Sequence, residues 1–281
     1  MFQLSEKAQR DKAIMDRIYK DFTYLEENGY EVVGVFLQGS QNYGLDIYTD
    51  EYKSDIDTKA IVLPKFEDFC LNKKPVSETL TPWGDEHLDV KDVRLMFECI
   101  NKANINFTEI LFTEYYLINE KYSKIWHNMR YHREEIVKAD LTRMFNACCG
   151  MAYEKRKALC HPYPTILHKI EKYGYDGKQL HHIIRMYDFI TQILSGKSYN
   201  DALRPTDDRL QRIQDAKLSK YSLEDAVWLA DLYLENLEEA VKGYKLSFPD
   251  RLKPDTEALN LLDTTQVELI KTYYKDYFKE A

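Results

Sequence analysis

Apolar residues recur at helical spacing between Ala8 and Leu25, which predicts an amphipathic helix near the N-terminus that ends at Asn28-Gly29. Runs of β-branched and aromatic residues then predict strands. These strands are expected over 31–37, 55–63, 77–81 and 87–90. Apolar positions from Val93 to Ile100 return to helical spacing and predict a helix that follows the last of these strands.

The second half of the chain shows helical spacing and no strand pattern beyond about Lys121. Helices are expected over about 122–138, 140–159, 178–195, 222–243 and 255–279. The pattern therefore predicts an α+β protein, with a small mixed sheet followed by an all-α helical region. We predict two domains, over residues 1–135 and 136–281.

Composition and charge narrow the classes of protein that fit this pattern. The 281 residues carry a formal charge of −8 with 44% hydrophobic residues, which predicts a folded chain and disfavours a protein that holds duplex DNA by neutralising phosphates. The five cysteines form no C-x-x-C pair and are odd in number, so neither a zinc site nor a disulfide framework is expected. With no apolar run long enough to span a membrane, we expect a cytoplasmic protein without a membrane partner.

A polar loop between the first two predicted strands holds the first candidate functional residues. The loop opens with Gly39 and Ser40, directly after the strand over 31–37. Glycine allows strained dihedrals and close approach of backbone N–H groups to an anion, and the Ser40 hydroxyl can donate to a phosphate oxygen. The sequence therefore predicts a phosphate-binding loop.

Asp55 and Asp57 open the second predicted strand. Residues two apart on a strand project to the same face with Cα atoms about 6.6–6.8 Å apart, so these carboxylates are expected to converge. Crowded carboxylates are best stabilised by divalent cations, and Mg²⁺ is usually held by one or two carboxylates together with substrate phosphates. Two ions of Mg²⁺ or Mn²⁺ are the expected cofactors.

A third carboxylate is expected from a neighbouring strand. Asp89 is the best placed because apolar residues flank it, and it could ligate the catalytic metal and accept the proton of an acceptor. Asp85, Glu86 and Asp92 are close rivals for this role.

Three short motifs together resemble the active-site signature of DNA polymerase beta superfamily nucleotidyltransferases. They are Gly39-Ser40, Tyr43-Gly44-Leu45 and Ser54-Asp55-Ile56-Asp57. The chain looks closest to the RNA-repair-associated polymerase-beta-like branch, whose fold is a small α/β palm followed by a helical domain. This resemblance implies that Asp55, Asp57 and Asp89 are catalytic metal ligands and that Gly39, Ser40 and Tyr43 bind nucleotide.

A helix in the second half supports the same resemblance. Lys178, His182 and Arg185 match basic positions of the family's helix, and their i, i+4, i+7 spacing places them on one face that could contact a triphosphate. His181 competes with His182 for the histidine position. The segment Asn106–Leu111, which contains Glu109, resembles a further family element whose role the sequence leaves open. The loop between Leu45 and Ser54 departs from the family pattern because it is long and acidic.

The resemblance implies transfer of a nucleoside monophosphate from a nucleoside triphosphate to a hydroxyl acceptor, by a two-metal mechanism that releases pyrophosphate. The acceptor stays open between an RNA or tRNA end, a protein hydroxyl and a small molecule. The alternative is a nucleotide-binding regulatory protein on the same fold, such as a toxin–antitoxin or defence component. A metal-dependent nuclease or phosphatase uses similar acidic clusters but does not need the Gly-Ser loop.

Overall fold

A computed structural model of the chain describes residues 6–49, 52–84 and 86–280. Five strands form one mixed sheet, in the spatial order β3-β4-β2-β1-β5. The strands are β1 (Glu31–Gln38), β2 (Asp57–Leu63), β3 (Ser77–Leu80), β4 (Leu88–Asp92) and β5 (Tyr116–Ile118). The predicted strands are therefore confirmed to within two residues at each end, whereas the three-residue edge strand β5 was missed.

Pairing within the sheet places the candidate carboxylates beside each other. Strand β2 runs antiparallel to β1 and parallel to β4, with Lys59 opposite Asp89 in the β2–β4 register. Side chains alternate between the two faces of a strand, so Asp57 and Lys59 share a face with Ile61. Ile61 packs into the core that the helical part of the chain covers. The acidic face of the sheet is thus turned toward the helices.

Thirteen α-helices surround this sheet within the described residues, and four short 3₁₀ turns accompany them. The first helices are α1 (Glu6–Glu27), α2 (Phe66–Cys70), α3 (Val93–Asn101), α4 (Ile105–Thr108), α5 (Glu120–Tyr131), α6 (Arg133–Lys138) and α7 (Leu141–Ala158). The others are α8 (Leu167–Tyr173), α9 (Gly177–Leu194), α10 (Tyr199–Ala202), α11 (Asp207–Lys217), α12 (Leu223–Ser247) and α13 (Thr256–Glu280).

The second half of the chain is helical as predicted, but the helix boundaries and the number of helices differ from the prediction. The expected helix over 122–138 is two helices, because the chain leaves helical geometry at His132, whose φ is −93° and ψ is 17°. The helices that were missed are α2, α4, α8, α10 and α11. Among the described residues no strand follows β5, so the prediction of an α+β fold with a sheet followed by helices is confirmed.

Two apolar clusters cover the two faces of the sheet. The smaller one joins α1 to one face through Ile14, Ile18 and Leu25. The larger one begins at the opposite face, with Phe36 among its residues, and continues through the helices as far as Leu269. This continuous packing fixes the helices over the acidic face.

The predicted domain boundary at residue 135 lies inside α6 and stays a prediction. Within the described residues, no helix is both long enough and apolar enough to cross a membrane.

Candidate active site

A cavity of 330 Å³ lies between the acidic face of the sheet and the helices. Its carboxylates stand on the sheet side and its lysines and arginine come mainly from the helices. The lining residues are Gln38, Gly39, Ser40, Tyr52, Asp55, Asp57, Lys59, Asp89, Asn106, Glu109, Met151, Lys155, Lys178, His181, His182, Arg185 and Lys217. The structure therefore brings together every residue that the sequence analysis assigned to the site, except Tyr43; the described rivals of Asp89, Glu86 and Asp92, are not among the lining residues.

The Gly39-Ser40 loop forms one rim of this cavity. Gly39 directly follows β1 with φ +88° and ψ −155°, a region that side chains disfavour, and the chain then turns through a short 3₁₀ helix over Ser40–Tyr43. The backbone N–H of Gly39 donates to the buried Glu109 carboxylate. Glu109 thus holds the loop in position. Because the backbone N–H of Gly39 already donates to Glu109, this N–H is not free to donate to a phosphate.

Asp55 does not lie in the strand, which corrects the prediction that β2 begins there. Strand β2 starts at Asp57, the last residue paired with β1, so Asp55 extends beyond the end of its neighbour strand. Its carbonyl instead accepts a hydrogen bond from the Gln41 side chain at 2.8 Å. Asp55 and Asp57 nevertheless both line the cavity, because the loop and not the pleat brings them together.

The two carboxylates influence each other electrostatically. Partial burial and the neighbouring Asp57 carboxylate raise the pKa of Asp55. Oδ1 of Asp57 accepts the backbone N–H of His87 at 3.0 Å, which fixes the orientation of this carboxylate. The pair is a site where positive charge is stabilising.

Asp89 lies on the same face but has partners of its own. Its Oδ1 accepts from the Thr79 hydroxyl at 2.6 Å and stands 3.4 Å from the ammonium group of Lys91. The buried Lys59 lies opposite Asp89, and its ammonium group donates to the carbonyl of Asn106. Burial lowers the pKa of Lys59 to about 8. Lys59 is a cavity residue that the strand pattern did not single out.

The donor set fits a divalent cation only in part. Hard carboxylate oxygens of Asp55 and Asp57 suit Mg²⁺, which takes one or two carboxylates and completes its coordination with phosphate oxygens and water. The described residues contain no group of three or more His, Cys, Asp or Glu side chains arranged to hold a metal ion. The two aspartates thus form half a metal site that a phosphate ligand would have to complete.

The rivals of Asp89 have structural partners. Glu86 accepts the backbone N–H of Ile56 at 3.2 Å and pairs with Arg17, so it holds the segment between Asp55 and Asp57 in place. Asp92 caps α3 and binds Arg94. Asp85 lies outside the described residues.

Helix α9 supplies the opposite wall of the cavity. Lys178, His182 and Arg185 lie on the cavity face as predicted, and His181 lines it as well. Burial lowers the pKa of His181 to about 3, and its Nδ1 lies 3.2 Å from the carbonyl of Ile213. Burial and the His181 ring also lower the pKa of His182. Both imidazoles are therefore neutral at pH 7.

Arg185 is buried and reaches the cavity with an incompletely satisfied guanidinium. It stacks on the Tyr43 ring at 3.8 Å from the ring centroid, and its Nη2 lies 3.8 Å from Glu109 without a hydrogen-bond partner among the described residues. A buried unpaired donor is costly unless a ligand accepts from it. Tyr43, expected to bind nucleotide, lies behind Arg185 and supports it, away from the cavity wall.

Lys217 is the cavity residue that sequence reasoning missed most completely. It ends α11 and donates to the hydroxyls of Ser40 at 3.3 Å and Ser54 at 3.4 Å. Burial and the nearby Lys178 lower the pKa of Lys217. Gly177 allows this approach, because a Cβ there would stand 2.1 Å from the carbonyl oxygen of Ala216. A glycine at the start of α9 was the only sequence signal for this contact.

Comparisons with known proteins add little to this geometry. The chain matches no protein-family profile and no curated protein. Among solved structures it is similar to a nucleotidyltransferase-like protein from Exiguobacterium sibiricum 255-15, with a TM-score of 0.30 and 12% identity over 85% of this chain and 78% of that chain. This low TM-score leaves the function to be inferred from the residues of the cavity.

Proposed function

We propose that this chain is a metal-dependent nucleotidyltransferase that transfers a nucleoside monophosphate from a nucleoside triphosphate to a hydroxyl acceptor. The observation that carries the proposal is the two-sided charge of one cavity. Asp55 and Asp57 stand on the sheet side, and Lys178, Arg185 and Lys217 stand on the helix side. A triphosphate with a bound cation matches both sides at once.

The helix side would hold the triphosphate. Lys178 has no hydrogen-bond or ion-pair partner for its ammonium group within the described residues, and Arg185 has an unpaired buried donor. Lys217 already binds the Ser40 hydroxyl, so a phosphate at the loop would meet both groups. These donors would orient the β- and γ-phosphates and neutralise charge on the departing pyrophosphate.

The sheet side would hold Mg²⁺ or Mn²⁺ between Asp55 and Asp57. Bound cations would supply charge neutralisation and polarisation at the α-phosphate. In the transfer, the acceptor hydroxyl oxygen forms a bond to the α-phosphorus and the bond from that phosphorus to the α–β bridging oxygen breaks. We assign the hydroxyl proton to Asp89, which would then have to release its contact with Lys91 or Thr79.

A nucleotide-binding regulatory protein, such as a toxin–antitoxin or defence component, is the second candidate. The observation in its favour is that Asp89 is already engaged by Thr79 and Lys91, which leaves only two carboxylates for cations. A protein that binds a triphosphate with one cation, and does not transfer it, needs no third carboxylate.

Transfer from α-phosphate-labelled nucleoside triphosphates separates these candidates. The purified chain is incubated with each of the four common triphosphates, Mg²⁺ and a set of hydroxyl acceptors that includes RNA. Labelled acceptor and free pyrophosphate in equal amounts support the enzyme. Triphosphate binding without any pyrophosphate supports the regulatory protein, and absence of binding contradicts both.

A further inference from the structure

A second cavity opens beside the candidate active site. It has a volume of 640 Å³, and it shares Asn106, Met151 and Lys155 with the first cavity. The two cavities are therefore adjacent. We call this second cavity the α7 groove, and its lining is Lys102, Asn104, Asn106, Arg143, Asn146, Ala147, Gly150, Met151, Glu154 and Lys155.

The floor of the α7 groove is one face of helix α7. The lining positions from Arg143 to Lys155 recur three or four residues apart, as the residues on one side of a helix do. Gly150 stands in the middle of this face, where glycine destabilises a helix relative to alanine. A Cβ at Gly150 would meet no atom within 4 Å, so neither packing nor the backbone requires glycine there. Its effect is to leave the floor of the groove without a side chain.

Three cations and one carboxylate, Glu154, line the groove. Lys102 is already paired with Glu98 and Arg143 with Asp140, so Lys155 is the lining cation without an ion-pair partner within the described residues. An unpaired cation beside the candidate active site attracts anionic ligands.

Unpaired donors are found where the two cavities meet. Within the described residues, neither the half-buried ammonium group of Lys155 nor the side-chain amide of Asn106 has a hydrogen-bond or ion-pair partner, although both line the two cavities. Asn106 is exposed and Lys155 is half-buried, so a ligand that spans this junction can reach both groups.

We infer that the α7 groove binds the acceptor, and that the acceptor is a phosphorylated sugar whose free hydroxyl enters the cavity of Asp55 and Asp57. This inference rests on the proposed function and names its acceptor class. The basic and amide side chains suit phosphates and hydroxyls. In the part of the chain that the structure describes, no aromatic ring lines the groove, so the groove offers no platform on which a base could stack. A cationic amino sugar is disfavoured as acceptor, because it would meet the unpaired ammonium group of Lys155.

The end of an RNA chain and a free mononucleotide both present a phosphorylated ribose. Fluorescence anisotropy measures the binding of a labelled five-nucleotide RNA directly. The binding of an unlabelled nucleoside 5′-monophosphate is measured by its competition with this RNA. If the mononucleotide displaces the labelled RNA at a concentration similar to that of unlabelled RNA, a single phosphorylated ribose is sufficient for binding. If only unlabelled RNA displaces it, binding requires the longer chain.

Gly150→Leu tests the groove because it fills the floor without breaking the helix. Gly243→Leu is the matched control, since Gly243 also lies inside a long helix, also meets no atom within 4 Å of an added Cβ, and does not line the groove. We expect the dissociation constant for the RNA to rise at least tenfold in Gly150→Leu and to stay unchanged in Gly243→Leu.

Asn146→Asp is a second variant that changes charge and hardly changes shape. The Asn146 side-chain oxygen accepts from Lys245 at 3.2 Å, and an aspartate keeps this acceptor. Its negative charge in the groove should weaken RNA binding several-fold, with an effect that fades as salt is raised.

The inference fails if wild type binds neither RNA nor mononucleotide, if both groove variants bind as wild type does, or if a cationic amino sugar binds in their place. The melting temperature with ATP and Mg²⁺ is measured in parallel. A wild type that gains no stability from ATP and Mg²⁺ contradicts the proposed function itself. A normal gain with unaltered RNA binding in the variants overturns only the acceptor assignment.

Discussion

Asp55 and Asp57 carry like charges and repel each other. This repulsion, together with partial burial, raises the pKa of Asp55. Asp57→Asn removes one charge and keeps the oxygen that accepts from the N–H of His87. We expect transfer to fall roughly 100-fold or more, since metal-ion catalysis is worth several kcal/mol. The melting temperature should not fall, because repulsion is relieved.

Labelled-acceptor assays and thermal melts on the same preparation check this prediction. Asp68→Asn, at a partly exposed aspartate that pairs with Lys73 outside the cavity, is the control for loss of one charge. A folded Asp57→Asn protein with wild-type transfer would remove the carboxylate pair from the mechanism.

Glu109 links the phosphate loop to Arg185, and burial raises its pKa to about 7 against the opposing effects of Arg185 and the Gly39 N–H. Between about pH 4.5 and 7 the folded chain keeps a proton that the unfolded chain releases. Stability therefore falls as pH rises through this window and is level above it. Relative to Glu109→Gln, wild type should lose roughly 2–3 kcal/mol of unfolding free energy between pH 5 and pH 8.

Urea unfolding of both proteins at pH 5, 8 and 9 measures this difference. The depressed pKa of His181 acts with the opposite sign below about pH 6.5, but it is common to both proteins and cancels. A difference that does not change with pH would show that Glu109 titrates as an ordinary carboxylate.

Sequence patterns located the acidic residues of the site better than the basic ones. Asp55 and Asp57 follow a strand and a Gly-Ser loop, so local order was enough to bring them together. Lys59 was hidden inside an apolar strand, and Lys217 approaches Ser40 across 177 residues of sequence. Contacts of that separation depend on how α11 packs, which no local pattern encodes.

Helix α9 presents Lys178 to the cavity without using its side chain for packing. Lys178→Ala should therefore raise the dissociation constant for a triphosphate about tenfold, as expected for one lost charge-assisted hydrogen bond. Binding of Mn²⁺ alone should change little. Arg185→Ala should weaken triphosphate binding as well. It also removes the stacking of Arg185 on Tyr43 and the positive charge beside Glu109, so its effect is not limited to the ligand.

Calorimetric titration with a non-hydrolysable triphosphate compares Lys178→Ala with Lys242→Ala. Lys242 is an exposed helical lysine that does not line the cavity, so its variant controls for net charge. Equal triphosphate affinity in wild type and Lys178→Ala would assign α9 a scaffold role.

The junction of α9 and α11 depends on Gly177. A Cβ in Gly177→Ala would overlap the carbonyl oxygen of Ala216, so we expect a loss of about 2 kcal/mol or more of unfolding free energy. Gly243→Ala should instead gain about 0.5–1 kcal/mol, because that helix interior has room for a methyl group. Denaturant unfolding measures both, and equal effects of the two variants would contradict the close approach.

Elements with long apolar patterns were predicted well and short or polar ones were not. Helix α12 was expected over 222–243 and spans Leu223–Ser247. Helix α11 buries only Ile213 and Ala216 of its residues, so its sequence carries little periodic signal. Strand β5 has only three residues, and it is defined by its pairing with Phe36 and the neighbouring residues of β1, which a local sequence pattern does not show.

The whole molecule places an acidic sheet face beneath a basic helical wall, with one continuous apolar core between the two parts. The order of sheet and helices followed from the sequence. Their mutual orientation did not, because it depends on the packing of the large core.

A site completed by both a triphosphate and a cation should show in their joint effect on the melting temperature. Each of the four common triphosphates is added with Mg²⁺, with a chelator, or with neither, and Mg²⁺ is added alone. Ligands that complete each other's coordination stabilise the native state together. We predict that at least one triphosphate with Mg²⁺ raises the melting temperature by much more than the sum of the two separate shifts. An equal shift in the presence of chelator, or no shift with any triphosphate, would contradict a shared site for triphosphate and cation.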